Sequence, residues 1–553
     1  MINKSALKGI LGELPFTAEV YWQLRQRGKP VTKSFSLRRV ERSMPEWCAQ
    51  ARSAAENMRQ KPQPRRRVMV FSTLRYWVEH AALLSVALAG LGHEVTLLFL
   101  PYANWQKSIG RFDLRRHNVY AKSVLGQAAP LVQAVSLLDV KPAGASTLPA
   151  SLLKAIREVS LRDAQYTLQV EDVDCDGGES KSARLYQLRL ERNTHAATAL
   201  LSWFQSLRPE KRPELLLTPN GSILEMGAIY QASRHLGLPA VTYEFGEQRG
   251  RIWLALNSEV MLQETDALWE MRKENPLSDD QLAQVRLLYE SRQNASLWQN
   301  FSRLWQGAPG QGGERVRQSL ALDSRPVVLL AANVIGDSLT LGRQIFSMNM
   351  TDWLERTVQI FAGRPDVQLV VRIHPGERYT TGPSVAQVVR QALPDMPAHI
   401  RLVEALDPVN TYDLLEIADL GLAYTTTVGM EMAMSGVPVI VAGKTHYRGK
   451  GFTLDPDSWQ SYQDLLERCL ADPDAYRPTR EQVKLAWQYA YRFFFEYPCS
   501  FPWHLLNFWN ELEAWPVERV LSEEGQASFG VTFRCLAGEP RDWSATPETS
   551  ESP

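Results

Sequence analysis

YTTTVGMEMAMSGVPVIVAG, residues 424–443, follows an apolar run, 418–423, that reads as a buried strand. Thr425, Thr426 and Thr427 then supply hydroxyls and N-caps where a helix begins. That helix is expected over 428–435, closed by Gly436, with Pro438 in the next strand, 437–442. A strand, a hydroxyl-rich turn and a short helix aim backbone N–H groups and the positive end of a helix dipole at one point. Such a point suits an anion, above all a phosphate. Glu431 lies four residues after Thr427 on the same helical face, and Val428 rules out a capping box as its reason. Its carboxylate is placed to accept hydrogen bonds from the two hydroxyls of a ribose, with a solvent-facing or dipole-compensating role as the alternative.

The same grammar recurs upstream. The run PVVLLAA, 326–332, reads as a strand that ends in a small, polar loop carrying Asn333 and Asp337. A helix over 353–361 leads to the strand VQLVVRI, 367–373, which delivers His374, Pro375, Gly376 and Glu377. Arg372, His374 and Glu377 therefore emerge together at a strand end. A histidine there can donate to a phosphate oxygen and stabilise charge on a departing nucleotide, while Pro375 fixes the backbone that presents it. Downstream, the loop 443–453 gathers Lys444, Tyr447, Arg448 and Lys450 among glycines, as enclosure of a diphosphate or an anionic sugar requires; a solvated basic loop is the plain alternative.

A second alternation of strands and helices precedes this one. Strand 68–71, a Ser72-Thr73 turn, helix 76–91 and strand 95–100 make a parallel unit of the doubly wound kind. No GxGxxG stands at its first turn, which argues against a dehydrogenase. After mostly helical sequence the alternation resumes with strand 214–217, helix 223–236 and strand 240–243. Glu244 and Glu247 follow at the carboxyl end, where open α/β sheets keep their ligand crevice. Either is a candidate general base on an acceptor hydroxyl if the cleft raises its pKa; either is equally a loop acid paired with Arg249 or Arg251.

At 553 residues the chain is too long for one core. The expected division is an N-terminal helical extension, 1–64; a Rossmann-like acceptor domain, 65–315; a Rossmann-like nucleotide-sugar domain, 325–480; helices crossing back to the first domain, 481–536; and a disordered tail, 537–553. The aromatic run AWQYAYRFFFEYPCSFPWHLLNFW, 486–509, is too apolar for an exposed surface and motivates the return crossing. The run KPQPRRR, 61–67, reads as a linker.

Lys+Arg and Asp+Glu balance at 61 each, so no basic field calls for nucleic acid. Five scattered cysteines with no CxxC pair suggest neither a disulfide framework nor a zinc site. Asp172-Val173-Asp174 has the spacing of a metal-binding carboxylate pair but lies in an acidic, glycine-bearing segment that reads as a surface loop, so the chemistry is expected to need no metal. With no uninterrupted apolar run near 18 residues, the expected location is the cytoplasm. Contact with the inner face of the membrane stays open through the N-terminal segment. There Leu7, Ile10, Leu11 and Leu14 recur at helical spacing, and Tyr21, Trp22 and Leu24 sit among Arg25, Arg27 and Lys29. That pattern suits an interfacial helix on an anionic leaflet and equally a helix packed on the body, the latter being preferred.

Two doubly wound domains facing a cleft, the second holding a nucleotide, resemble the GT-B glycosyltransferases. RIHPGE at 372–377, TTTVGMEMAMSGVPVIVAG at 425–443 and YRGKGFT at 447–453 resemble the bacterial capsule polysaccharide biosynthesis proteins, whose better-known members are similar to Kdo and sialic acid transferases that use CMP-sugars. The resemblance spans 327–473 and is one of fold before that. It implies that His374, Pro375 and Thr425 to Thr427 hold the donor phosphate. It implies a CMP- or UDP-type nucleotide sugar as co-substrate with no further cofactor, and a glycan or glycolipid acceptor in surface polysaccharide synthesis. A sugar-nucleotide epimerase of the same fold, a CDP-polyol phosphotransferase and a non-catalytic export or scaffold protein are the rival readings.

Overall fold

The computed structural model describes residues 4–58, 65–141, 148–176, 178–299, 301, 304 and 306–545. Most of the expected linker, 61–64, and the end of the tail, 546–553, lie outside the described residues. Two sheets organise the rest. The first contains β1 (Arg67–Thr73), β2 (Glu94–Leu100), β3 (Val132–Ser136), β4 (Leu215–Pro219), β5 (Ala240–Glu244) and β6 (Arg251–Leu256). The second contains β7 (Val327–Ala331), β8 (Gln368–Arg372), β9 (Ile400–Val403), β10 (Leu420–Ala423) and β11 (Val439–Val441). A last strand, β12 (Cys499–Ser500), pairs antiparallel with β6 and so returns the chain to the first sheet.

In the first sheet the order β12-β6-β5-β4-β1-β2-β3 contains a parallel core, β5-β4-β1-β2-β3, and the second sheet is parallel throughout, in the order β11-β10-β7-β8-β9. Each is a doubly wound sheet, with the winding direction reversing between β1 and β4 in one and between β7 and β10 in the other. The expected class, α/β with two Rossmann-like domains, is the observed one.

Side-chain alternation explains why these strands read as unbroken apolar runs. Val327, Leu329 and Ala331 of β7 enter one buried cluster, while Val328 and Leu330 enter another on the opposite face. Helices cover both faces, so neither set meets water. Strands β3, β6 and β9 were not legible, because they are short and only partly buried: in β3, Gln133 is exposed and Ala134 half-buried, and in β6 only Ile252 is fully buried.

Three boundaries differ from expectation. Helices Asp266–Arg272 and Asp279–Gln293, assigned above to the first domain, bury Leu268, Trp269 and Val285 in the core of the second, so the first ends near residue 262. Helix Arg480–Tyr491, expected to pack on the first domain, also buries Ala486 and Tyr489 in the second; the crossing occurs later, between Phe493 and β12. The described part of the polar tail packs on the body: Arg541 donates to the carbonyls of Tyr497 and Glu496 at 2.6 Å each, and Trp543 stacks on Tyr497.

Specific contacts join the two domains, among them those of Arg343 with the Met261 and Leu262 carbonyls. Beyond helix Ala150–Leu168, Gln169 turns in the left-handed region and its side-chain oxygen accepts from the Thr381 amide. Glu171 then accepts from the amides of Met350 and Thr351, at 3.1 and 2.8 Å, which open the helix Met350–Ala362. The segment expected to be a surface loop therefore begins with a buried interdomain clasp; Asp172 and Asp174 are exposed as expected.

Candidate functional site

The reversal of winding leaves a crevice at the carboxyl ends of β7 and β10. Asn333, just past β7, is buried and its side-chain oxygen accepts from the Thr425 amide at 3.2 Å, tying the two strand ends together. The Tyr447 hydroxyl, fully buried, donates to the Thr426 carbonyl at 2.6 Å. A Cβ on Gly429 would stand 2.3 Å from that hydroxyl, so only glycine admits the tyrosine that braces the turn. The helix that follows, Val428–Met434, has only seven residues, and the Thr427 side chain makes no capping bond. The anion-binding expectation thus rests on side chains rather than on a helix dipole.

Those side chains face a cavity of about 100 Å³ between the domains, lined by Gly246, Glu247 and Gln248 on one side and Thr425, Thr427 and His446 on the other. Trp253, Phe301, Phe493 and Phe494 complete its apolar wall. Two buried polar atoms here have no protein partner among the described residues: Thr425 Oγ1 and His446 Nε2.

His446 was not singled out from the sequence, although it lies within the basic loop. Its ring stacks on Phe493 with centroids 3.8 Å apart, and Nδ1 lies 2.9 Å from the Tyr489 hydroxyl, which also meets Thr265 Oγ1 and the His446 carbonyl. Burial pushes its pKa down to about 3, with Arg343 and Lys450 adding to the shift, so the imidazole is neutral. The unfolded chain takes up a proton here below about 6.5 while the folded chain does not until about 3, so this residue makes stability rise with pH across that window and leaves it flat above. His446→Phe is expected to flatten the slope by at most about 1.4 kcal/mol per pH unit, read from urea unfolding at a series of pH values. An unchanged slope would mean that the folded state already binds that proton.

His374 leaves the carboxyl end of β8 half-buried, and its Nδ1 accepts from the Gly376 amide at 3.0 Å. The proton of the neutral ring is therefore on Nε2, which makes that nitrogen a donor. Pro375 opens the short helical turn Pro375–Tyr379. Strand β8 is two places from β10, so His374 stands roughly 10 Å from the threonine turn along the same sheet edge, beyond the residues lining the cavity.

Several candidates hold the frame instead of facing the crevice. Arg372 is buried, with Nε on Thr411 Oγ1 at 3.2 Å and Nη1 on the Glu404 carbonyl at 2.7 Å, and desolvation lowers its pKa to about 10. Glu377 accepts from the Val385 amide at the start of the next helix. Lys450 is buried in an ion pair with Asp266, and Arg448 donates to the carbonyls of Val441 and Pro456. Asp337 closes its own loop by accepting from the Ser338 amide at 2.7 Å. Glu431 is buried against Arg292, so its carboxylate is engaged inside the domain. Lys444 is exposed, two residues before His446, with its amide donating to the Arg343 carbonyl at 2.7 Å.

The two acidic candidates separate. Glu244 Oε2 accepts from Asn220 Nδ2 at 2.9 Å and Oε1 from the Phe245 amide at 3.0 Å, while burial raises its pKa. Glu247 lines the cavity, and Glu244 does not. A larger recess, about 530 Å³, opens where the helix after β1 begins; Arg38, Arg39, Arg75, Tyr76, Glu79 and Trp509 contribute to its walls. Burial lifts the Glu79 carboxyl to about 7 there, against the opposing pull of Arg75 and Arg39.

Comparison with known proteins gives one sequence match. The family model described as capsule polysaccharide biosynthesis protein matches residues 302–494. No curated protein matches the chain. Among solved structures, the Thermosulfurimonas dismutans KpsC beta Kdo 2,4 transferase is 17% identical over 51% of this chain and 80% of its own, with a TM-score of 0.31. The KpsC beta Kdo 2,7 transferase of the same organism is 14% identical over 49% and 75%, with a TM-score of 0.28. UDP-GlcNAc 2-epimerase from Neisseria meningitidis is 12% identical over 78% and 99%, with a TM-score of 0.24. At these values none of the three bears on the chemistry of the site. Over the stretch that carries His374, the threonine turn and His446, the chain resembles the capsule polysaccharide biosynthesis proteins.

Proposed function

We propose that the protein is a glycosyltransferase that moves a sugar from a nucleotide-activated donor, of CMP or UDP type, to a glycan or glycolipid acceptor in bacterial surface polysaccharide synthesis. The observation that carries this reading is the interdomain cavity, where the unpartnered Thr425 Oγ1 and His446 Nε2 of one domain stand opposite Glu247 of the other. A cavity of about 100 Å³ is the size of a reacting centre, not of a whole donor, which needs roughly 300 Å³ or more. Binding therefore parts the domains, which are clasped by contacts such as those of Gln169 and Glu171.

In this scheme the Thr425 and Thr427 hydroxyls and the His374 Nε2 donor receive the donor phosphate, with Lys444 approaching from its exposed loop. The neutral His446 imidazole fixes the sugar or its bridging oxygen. Glu247 takes the proton of the attacking acceptor hydroxyl as the bond from the anomeric carbon to the phosphate oxygen breaks; Glu244, held by Asn220, orients the loop that carries it. The acceptor approaches from the first domain, where the recess lined by Arg38, Arg39 and Arg75 favours an acidic glycan. No metal is assigned a step, and the reaction is assigned to the cytoplasm.

The test is thermal stabilisation by CMP, CDP, UDP, GDP and UMP, followed by the same series on His374→Ala. A ligand bound only by the folded state raises the midpoint with its concentration over its dissociation constant. A shift with CMP or UDP that weakens about tenfold or more in His374→Ala is the expected result, since a charge-assisted donor of this kind contributes about 1.5–3 kcal/mol. No shift with any nucleotide would overturn the transferase reading in favour of a scaffold, and full affinity in the variant would remove His374 from the site.

A further inference from the structure

The N-terminal helices Lys4–Glu13 and Thr17–Leu24 are amphipathic in the reverse of the usual sense. Lys8, Glu13 and Glu19 pair with the body of the protein, although Lys8 and Glu13 stay largely exposed. Lys8 pairs with Asp113 at 3.0 Å, Glu13 with Arg111 and Glu19 with Arg115, all on the helix Arg111–Leu125. Arg115 also donates to the carbonyls of Gly12 and Leu14, which clamps the turn between the two helices. Trp22 and Ala18 are the inward apolar anchors.

The outward face is apolar. Leu7, Ile10 and Leu14 form one stripe on the first helix, Val20 and Leu24 one on the second, and Phe16 stands between them. Ile10 is 57% exposed, Leu24 69% and Phe16 73%, values that a folded chain in water has every reason to avoid when such residues adjoin. Seven of the nineteen large hydrophobic side chains that are exposed in the described residues fall within 7–24, against twelve in all the rest, so the patch is not the ordinary scatter of apolar surface. Directly after it come Arg25, Arg27, Lys29 and Lys33, all exposed and none in an ion pair among the described residues. Both acids of the hairpin, Glu13 and Glu19, are already neutralised by arginines of the body. The surface presented is therefore hydrophobic with a margin whose unpaired charges, among the described residues, are basic.

We infer that this hairpin seats the protein on an anionic lipid surface. Leucine, isoleucine and phenylalanine side chains enter the boundary between headgroups and acyl chains, and the four cations meet lipid phosphates at headgroup level. The charge decides between this partner and a second copy of the chain: two identical basic margins repel one another, whereas an anionic leaflet attracts both. No described helix is long and apolar enough to cross a membrane, so the attachment is interfacial. The inference is independent of the chemistry proposed for the cleft.

The experiment is flotation of the full chain with vesicles of phosphatidylcholine alone and of phosphatidylcholine containing phosphatidylglycerol, at low and high salt. Binding should appear with the anionic vesicles and weaken in salt. A triple variant, Ile10→Ser, Phe16→Asn and Leu24→Ser, alters exposed positions only; asparagine suits the left-handed backbone of Phe16. It should lose bound fraction by about tenfold or more, as should Arg25→Gln, Arg27→Gln and Lys29→Gln combined. Unchanged unfolding midpoints show that both variants remain folded. Equal binding of wild type and variants, no binding to anionic vesicles, or a concentration-dependent dimer in sedimentation that the triple variant abolishes would each overturn the inference, the last by giving the face to a second copy.

Discussion

Glu431→Gln is expected to lower the stability of the second domain by roughly 3–5 kcal/mol, the cost of removing one charge of a buried ion pair. The Arg292 and Glu431 side chains are 2% and 4% exposed. Arg292 reaches Glu431 from helix Asp279–Gln293 and lies over the Phe494 ring at 4.5 Å, so without the carboxylate its buried guanidinium would lose its main counter-charge. The pair joins the helix before the second sheet to the helix after the threonine turn, which places it under the floor of the crevice. Because a well-packed apolar pair often replaces a buried ion pair at little cost, Arg292→Met combined with Glu431→Leu should recover much of the loss. Guanidinium unfolding of the three proteins measures this directly. A Glu431→Gln protein with wild-type stability but weakened nucleotide affinity would reverse the assignment, returning Glu431 to the ribose and making Arg292 its orienting partner.

The difference between these two readings of Glu431 shows where sequence stops being informative. Strand ends are legible because unbroken apolar runs such as 326–332 terminate in small polar residues, and the order of strands and helices then places Asn333, His374 and Thr425 on one edge. What a side chain meets beyond that edge depends on segments distant in the chain. Nothing local to Glu431 announces Arg292, 139 positions earlier, and nothing local to Lys450 announces Asp266. Arg372 looks like a phosphate ligand because it ends a strand, yet its position in the β alternation turns it inward toward Thr411. The domain boundary was misread for a similar reason: an amphipathic helix declares that it has a buried face, not which of two sheets it covers. His446 was passed over because its functional character lies in an unpartnered Nε2, which is created by packing against Phe493 and Tyr489 and is invisible in the string.

Arg189→Met should destabilise the first domain about as strongly, by roughly 3–5 kcal/mol at neutral pH, through the opposite imbalance. Arg189 is fully buried between Asp163 at 3.1 Å and Glu225 at 2.8 Å, and Asn193 bonds to both Arg189 and Asp163. Burial already raises the Asp163 pKa from 3.8 against the pull of Arg189, so in the variant the carboxyl is driven further toward its protonated form. A carboxyl whose folded pKa lies above its unfolded one makes stability fall as pH rises between the two values. The deficit of Arg189→Met should therefore shrink in mildly acidic buffer and grow toward neutral pH, whereas a mere packing defect would be indifferent to pH. Asp163 also accepts from the Leu224 amide at 2.5 Å, the first residue of the helix that follows Asn220, Gly221 and Ser222. Loss of the cluster should thus loosen the turn from which Asn220 holds Glu244. Nucleotide affinity should survive, because the groups assigned to the donor belong to the other sheet. If Arg189→Met and Glu431→Gln instead lower one shared transition by the same amount, the return of β12 to the first sheet welds the two domains into a single unfolding unit, and the cleft opens by bending that unit rather than by separating its parts.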